Sequence, residues 1–184
     1  MQSPVSGNSP QIPSDTTRLF LALWPDDDVR AALQRGYDRW NWTKGAWVAR
    51  PSSLHLTLHF LGNLPSSSLP ELVRELEVPF DPFDVTLNST MVWPNGIAVL
   101  QPAEVPRGLI ELQAALGVAL QRLEIPIEAR TYRPHVTFAR RAQGALPPDD
   151  NEPVRWPVCS YALIESRTAS LGGYRLLREY ACRT

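Results

Sequence analysis

The chain has 184 residues, enough for one compact domain or two small lobes around a buried core. With 43% hydrophobic and 20% charged residues it reads as globular, and its 18 prolines argue for short elements with firm turns, which excludes a disordered chain, a coiled coil and a long-helix bundle. Eighteen basic against nineteen acidic residues give a net charge of −1, which excludes a polyanion binder working by bulk charge.

Residues 1–17 are polar and lack both the basic and the apolar part of a secretory leader, so they predict a disordered tail. Arg18-Leu-Phe-Leu-Ala-Leu-Trp24 follows as a buried strand, far shorter than the roughly 20 apolar residues of a membrane helix. Pro25 closes it, and Asp26-Asp27-Asp28 opens a helix expected to reach about Trp40. From Leu54 to Phe60 the residues alternate. Strict period two puts Leu54, Leu56, Leu58 and Phe60 on one side and His55, Thr57 and His59 on the other. Gly62 and Pro65 are expected to break this strand before a short helix from Leu69 to Leu76. Phe83–Leu87 predicts a strand with Ile97–Leu100 as its hairpin partner. Leu109, Leu112, Leu116, Leu120 and Leu123 mark an amphipathic helix that Pro126 ends. The last expected strands are 135–140, 154–167 and 174–180, with Gly172-Gly173 as the final turn. Strand, helix and His-bearing strand occur once in each half, which suggests an internal duplication and two lobes within one unit spanning 18–184. Cys159 and Cys182 are too few for a disulfide scaffold, and a reduced cytoplasmic location is the simplest expectation.

Two of the three histidines share one pattern, His55-Leu-Thr-Leu58 and His135-Val-Thr-Phe138. The period of two sets each His beside its Thr on one face, while the apolar residues anchor the strand. Two lobes related by a pseudo-two-fold would bring both pairs to one cleft. There one neutral and one protonated imidazole could act as base and acid near neutral pH, and the threonine hydroxyls could hold phosphate oxygens. Arg130, Arg133, Arg140 and Arg141 surround the second pattern with no Asp or Glu between Glu128 and Asp149, which supports an anionic ligand. Strict alternation would place Arg141, not Arg140, on the His135 face unless the strand ends or bulges. His59 reads as a rim residue on the His55 face. No GxGxxG, Walker A, GxSxG or HExxH pattern occurs, and His55 and His59 lack a carboxylate or cysteine to complete a metal site, so no metal is expected.

These residues resemble the 2H phosphoesterase superfamily, with its two HxTx motifs, and within it the RNA 2′,3′-cyclic phosphodiesterases, also called 2′-5′ RNA ligases. Arg18-Leu-Phe-Leu-Ala-Leu resembles that family's first strand, Trp47-Val-Ala-Arg-Pro its lead-in, and His55-Leu-Thr-Leu-His-Phe-Leu-Gly62 and Arg133-Pro-His-Val-Thr-Phe-Ala-Arg140 its two motifs. The resemblance implies a bilobal, duplicated α+β fold of the LigT-like kind, with two mostly antiparallel sheets flanked by helices around a central cleft. It implies metal-independent hydrolysis of a terminal 2′,3′-cyclic phosphate on RNA to a 2′-phosphomonoester without a cofactor. His135 would deprotonate water, His55 would protonate the leaving 3′ oxygen, and Thr57, Thr137 and Arg140 would hold the phosphate. Phe20 and Trp47 could stack a base, although core packing is the preferred reading for each. A monomer acting on RNA ends, with no membrane association, is expected. Reversible 2′-5′ ligation, cleavage of another phosphodiester and non-catalytic binding of RNA ends are the alternatives.

Overall fold

The computed structural model describes residues 15–167 and 173–183. Along it run β1 (Thr16–Leu23), α1 (Asp27–Asp38), β2 (Trp47–Val48), β3 (Leu56–Pro65), α2 (Leu69–Glu75), β4 (Phe83–Leu87), β5 (Ser89–Val92), β6 (Ala98–Gln101), α3 (Arg107–Arg122), β7 (Val136–Arg140), β8 (Val154–Val158), β9 (Ser160–Ser166) and β10 (Tyr174–Ala181). The α+β class expected from the sequence is what these elements form. α1 starts where the aspartates predict, because the Asp26 side chain accepts the N–H of Val29 at 2.8 Å and Asp27 and Asp28 sit at the positive end of the helix. Among the described residues no helix is long and apolar enough to cross a membrane.

Eight strands form one sheet in the order β10-β9-β1-β3-β7-β6-β5, with β2 beside β7, while β4 and β8 make a separate two-stranded sheet. The larger sheet consists of two antiparallel halves. They join at one residue pair, Leu56 of β3 opposite Val136 of β7. Both residues are fully buried, in a core that also takes Val29 and Leu33 from α1, Leu72 from α2, and Leu109, Leu112, Leu116 and Leu120 from α3. Each such leucine contributes about 1.5–3 kcal/mol by leaving water, so the helices hold the two halves together from one side.

Several expectations change. The chain switches sheets at Asn88, whose N–H donates to the Gln101 carbonyl at 3.1 Å and whose side chain accepts from the Ala103 N–H at 2.8 Å, so Ala98–Gln101 pairs with β5, and β4 pairs with β8. The segment expected as one strand over 154–167 breaks at Cys159 into β8 and β9. β8 alternates buried and exposed residues, whereas β9 is buried on both faces from Tyr161 to Ile164, so the two fit different sheets. Gly62 does not end β3, because its φ of +78° fits a bulged strand that continues to Pro65. Thr16 and Thr17, counted with the tail in the sequence, pair with Pro65 and Leu64. Residues 1–14 of that tail, and Gly172 of the expected Gly-Gly turn, lie outside the described residues.

Tyr161 ties the small elements to the sheet. Its buried hydroxyl accepts the Val78 N–H and donates to the Leu76 carbonyl, both at 2.8 Å, and its ring stacks on Tyr180 at 4.8 Å. Tyr161→Phe keeps the ring and strands both backbone groups, so it is expected to lower stability by about 1–3 kcal/mol. Urea unfolding checks this as a lower midpoint with an unchanged slope.

Candidate active site

The junction between the sheet halves sets the geometry. Because Leu56 and Val136 face the core, His55 and Thr57 on one strand, and His135 and Thr137 on the other, face the opposite side. Antiparallel register read outward from that pair sets His55 across from Thr137 and Thr57 across from His135. A local two-fold therefore passes between Leu56 and Val136 and relates the two tetrads.

Both strands then bulge at the same place. β1 residues Leu21 and Ala22 pair with His59 and Thr57, which leaves Leu58 as an extra residue, and β6 residues Ala98 and Val99 pair with Ala139 and Thr137, which leaves Phe138 extra. The fourth residue of each tetrad is thus the bulged one, so the duplication read from the sequence extends to backbone shape. Each bulge reverses the alternation that follows it. His59, expected on the His55 face, is turned to the core, where it is 7% exposed and its Nε2–H donates to the Gln113 carbonyl of α3 at 2.7 Å. Phe60, expected in the core, is exposed on the histidine face and lies 6.2 Å from Phe20. In β7 the same reversal buries Ala139 and brings Arg140, not Arg141, onto the face of His135. Arg141 takes a φ of +54° just past the strand.

The two imidazoles are tethered alike. Nδ1 of His55 lies 2.7 Å from the Ser53 carbonyl and Nδ1 of His135 lies 2.7 Å from the Arg133 carbonyl. A carbonyl only accepts, so each Nδ1 carries the proton and each Nε2 is left to face a ligand. Tyr132, just before the second tetrad, donates its hydroxyl to the Thr57 carbonyl at 3.1 Å and ties the two motifs together.

Their surroundings differ. His55 stacks on Trp24 with ring centroids 5.8 Å apart and meets Phe20 at 4.9 Å and Tyr174 at 5.2 Å, over a second apolar cluster of Phe20, Ala22, Ala162 and Ile164. His135 meets the edge of Trp93 at 4.5 Å, and the Arg133 guanidinium lies 4.8 Å over that same indole. Burial pushes His55 down to about 4, with smaller contributions from His135 and Arg140, opposed by its bond to the Ser53 carbonyl. His135 is also held below the ordinary histidine value, first by burial and then by Arg130, Arg133 and Arg140, against its bond to the Arg133 carbonyl. Both shifts favour the neutral imidazole, whereas the sequence reading expects one neutral and one protonated ring near neutral pH. The charge of Arg140 contributes to lowering both histidines.

The four arginines of the cluster have different surroundings. Arg130 pairs with Glu128 at 2.7 Å, Arg133 is seated on Trp93, and Arg140 makes no ion pair among the described residues. Phe20 is buried as expected, but Trp47 is 69% exposed. It belongs to a two-residue strand directly opposite Arg140, so it shares that residue's face instead of entering the core. Sequence reading missed Trp24, Trp93 and Tyr174 as neighbours of the histidines, because each comes from an element distant in the chain.

Residues 23–99 match the family model described as LigT like Phosphoesterase, a span that contains the first tetrad. The chain is 31% identical over 179 residues to the RNA 2′,3′-cyclic phosphodiesterase of Thermus thermophilus, covering 90% of each chain. It is 32% identical over 164 residues to the protein of the same name from Escherichia coli, covering 83% of this chain and 85% of that one. The crystal structure of E. coli LigT complexed with NADP+ superposes with a TM-score of 0.82 at 24% identity, covering 93% of this chain and all of that one, which establishes the shared fold.

Proposed function

The chain belongs to the LigT-like RNA 2′,3′-cyclic phosphodiesterase family, and from that premise and the paired imidazoles we propose that it hydrolyses the terminal 2′,3′-cyclic phosphate of RNA to a 2′-phosphomonoester. The observation that carries this reading is the symmetric pair of Nδ1-tethered histidines on strands joined at Leu56 and Val136. A phosphorus atom between the two Nε2 atoms has a base on one side and an acid on the other. In the direction the family resemblance implies, His135 takes a proton from water as its oxygen attacks phosphorus in line with the bond to O3′. That bond breaks as His55 gives its proton to O3′, which leaves a free 3′-hydroxyl and a phosphate on O2′. Thr57, Thr137 and Arg140 hold the non-bridging oxygens, whose charge is spread in the transition state. Exposed Phe60 and Trp47 offer apolar faces to a base. The unit read in the sequence as 18–184 begins at Thr16, where β1 starts, and in this proposal it acts as a monomer in the cytoplasm.

Incubating the protein in EDTA with a short RNA ending in a 2′,3′-cyclic phosphate, and identifying the product isomer, tests this. A 2′-phosphate is expected. An unchanged RNA that is nevertheless retained would convert the site into a binding module.

The charge states give a pH prediction with a definite sign. Burial favours neutral imidazole, so the free protein requires acid to charge His55, and the optimum of kcat/KM should lie below the ordinary histidine value of about 6.5. A bound phosphodiester is an anion and favours imidazolium, so the profile of kcat should move to higher pH. Superimposable profiles, or a kcat/KM optimum above neutrality, would contradict the assignment.

A further inference from the structure

The two cysteines take no part in the site described above. The β9–β10 ladder ends with Ser160 opposite Ala181, and one step further the Cys182 N–H donates to the Cys159 carbonyl at 2.7 Å, which makes the cysteines direct cross-strand neighbours. Two residues inward, Tyr161 and Tyr180 stack on the core side, and the period of two sets both cysteines on that same side. Cys159 is exposed at the break between β8 and β9, Cys182 is half-buried, and both thiols are free.

Opposed residues of a hydrogen-bonded antiparallel pair have Cα atoms about 5.5 Å apart, inside the about 4.4–6.8 Å that a disulfide spans. Their Cβ atoms, about 4.5–5.5 Å apart, exceed the about 3.5–4.5 Å of a relaxed bridge, so closure requires a shift of about 1 Å. Cys159 lies in neither strand and can supply that shift. A bridge closed under strain at an exposed position is readily reduced, which fits a reversible bond better than a permanent staple.

We propose that Cys159 and Cys182 are a redox modification site that closes to an intramolecular disulfide. β10 is the edge strand of the sheet, and its first residue, Tyr174, lies 5.2 Å from His55, so the bridge fastens the one strand of that half held from a single side. The oxidant is a low-molecular-weight disulfide such as oxidised glutathione. The exposed Cys159 thiolate attacks one of its sulfurs, the S–S bond breaks, and one glutathione leaves. The Cys182 thiolate then attacks the mixed disulfide at Cys159 sulfur and releases the second. The two cysteine protons pass by way of solvent to the two glutathione thiolates released, so the protein loses two electrons and two protons and glutathione disulfide becomes two thiols.

The test incubates the full chain with oxidised glutathione, blocks free thiols, and measures intact mass, peptide linkage and unfolding temperature. Expected are the loss of two hydrogens, no blocked thiol, a peptide joining Cys159 to Cys182, and a rise in unfolding temperature of about 5 °C that a dithiol reductant reverses. Cys159→Ser and Cys182→Ser should each abolish the linkage and the rise while unfolding like the parent under reducing conditions. Two blockable thiols, a stable glutathione adduct at either cysteine, or a disulfide-linked dimer would overturn the proposal.

Discussion

Replacing His55 or His135 by alanine is expected to lower turnover of an RNA 2′,3′-cyclic phosphate by about 10²–10⁴-fold, the range for loss of a general acid or base. The two variants should fall by similar factors, because the imidazoles serve the two proton transfers of one displacement from opposite sides of one phosphorus. Removing both should cost little more than removing one, since a lone acid or a lone base retains little of what the pair does. Alanine at 55 also empties a space walled by Phe20, Trp24 and Tyr174 and leaves the Ser53 carbonyl without its donor. His55→Asn and His135→Asn keep a polar side chain there, and unfolding temperatures close to the parent's separate lost chemistry from lost fold. Either histidine variant turning over the substrate at the parental rate would end the two-histidine reading.

Most of the site was legible in the sequence because its signal is local. A His and a Thr two apart in a strand share a face by geometry alone, and the repetition of that pair implied a second strand aimed at the same place. What comes from distant elements was not legible: Trp24, Trp93 and Tyr174 reach the histidines only once the sheet is assembled in the order β10-β9-β1-β3-β7-β6. Misreading His59 and Phe60 has a different cause. A strict period of two carries its parity through any extra residue, and the bulge at Leu58 reverses that parity for His59 and Phe60, up to a second register shift at Leu61. A trace of it exists in the second tetrad, where apolar Phe138 and Ala139 are adjacent and both buried, which no flat strand with one solvated face would show. The sheet change at Asn88 left no such trace, since Phe83–Leu87 and Ala98–Gln101 each satisfy a strand pattern and only the hydrogen bonds of Asn88 choose their partners.

The bulge at Phe138 makes the sharpest distinction between neighbours. If it aims Arg140 at the phosphate, Arg140→Ala should reduce kcat/KM by about 10²–10³-fold, the cost of removing one preorganised donor from a developing anion. Arg141→Ala should change it by no more than about twofold, as for a surface substitution. A strand without the bulge predicts the opposite order, so the pair of variants decides between the two geometries as well as testing the residue. Arg140→Lys refines the result, because an ammonium supplies the charge but not the planar fork. Intermediate activity would mean that charge and directed hydrogen bonds both count. Arg140 lies opposite Trp47 at a two-residue strand and forms no ion pair among the described residues, so its removal leaves no buried partner unsatisfied and should barely move the unfolding temperature. The pH profile supplies an independent check. Arg140 helps hold both histidines below their ordinary value, so in Arg140→Ala the optimum of kcat/KM should move toward higher pH even as the rate falls. A fallen rate with an unmoved optimum would place the guanidinium on the substrate but away from the imidazoles.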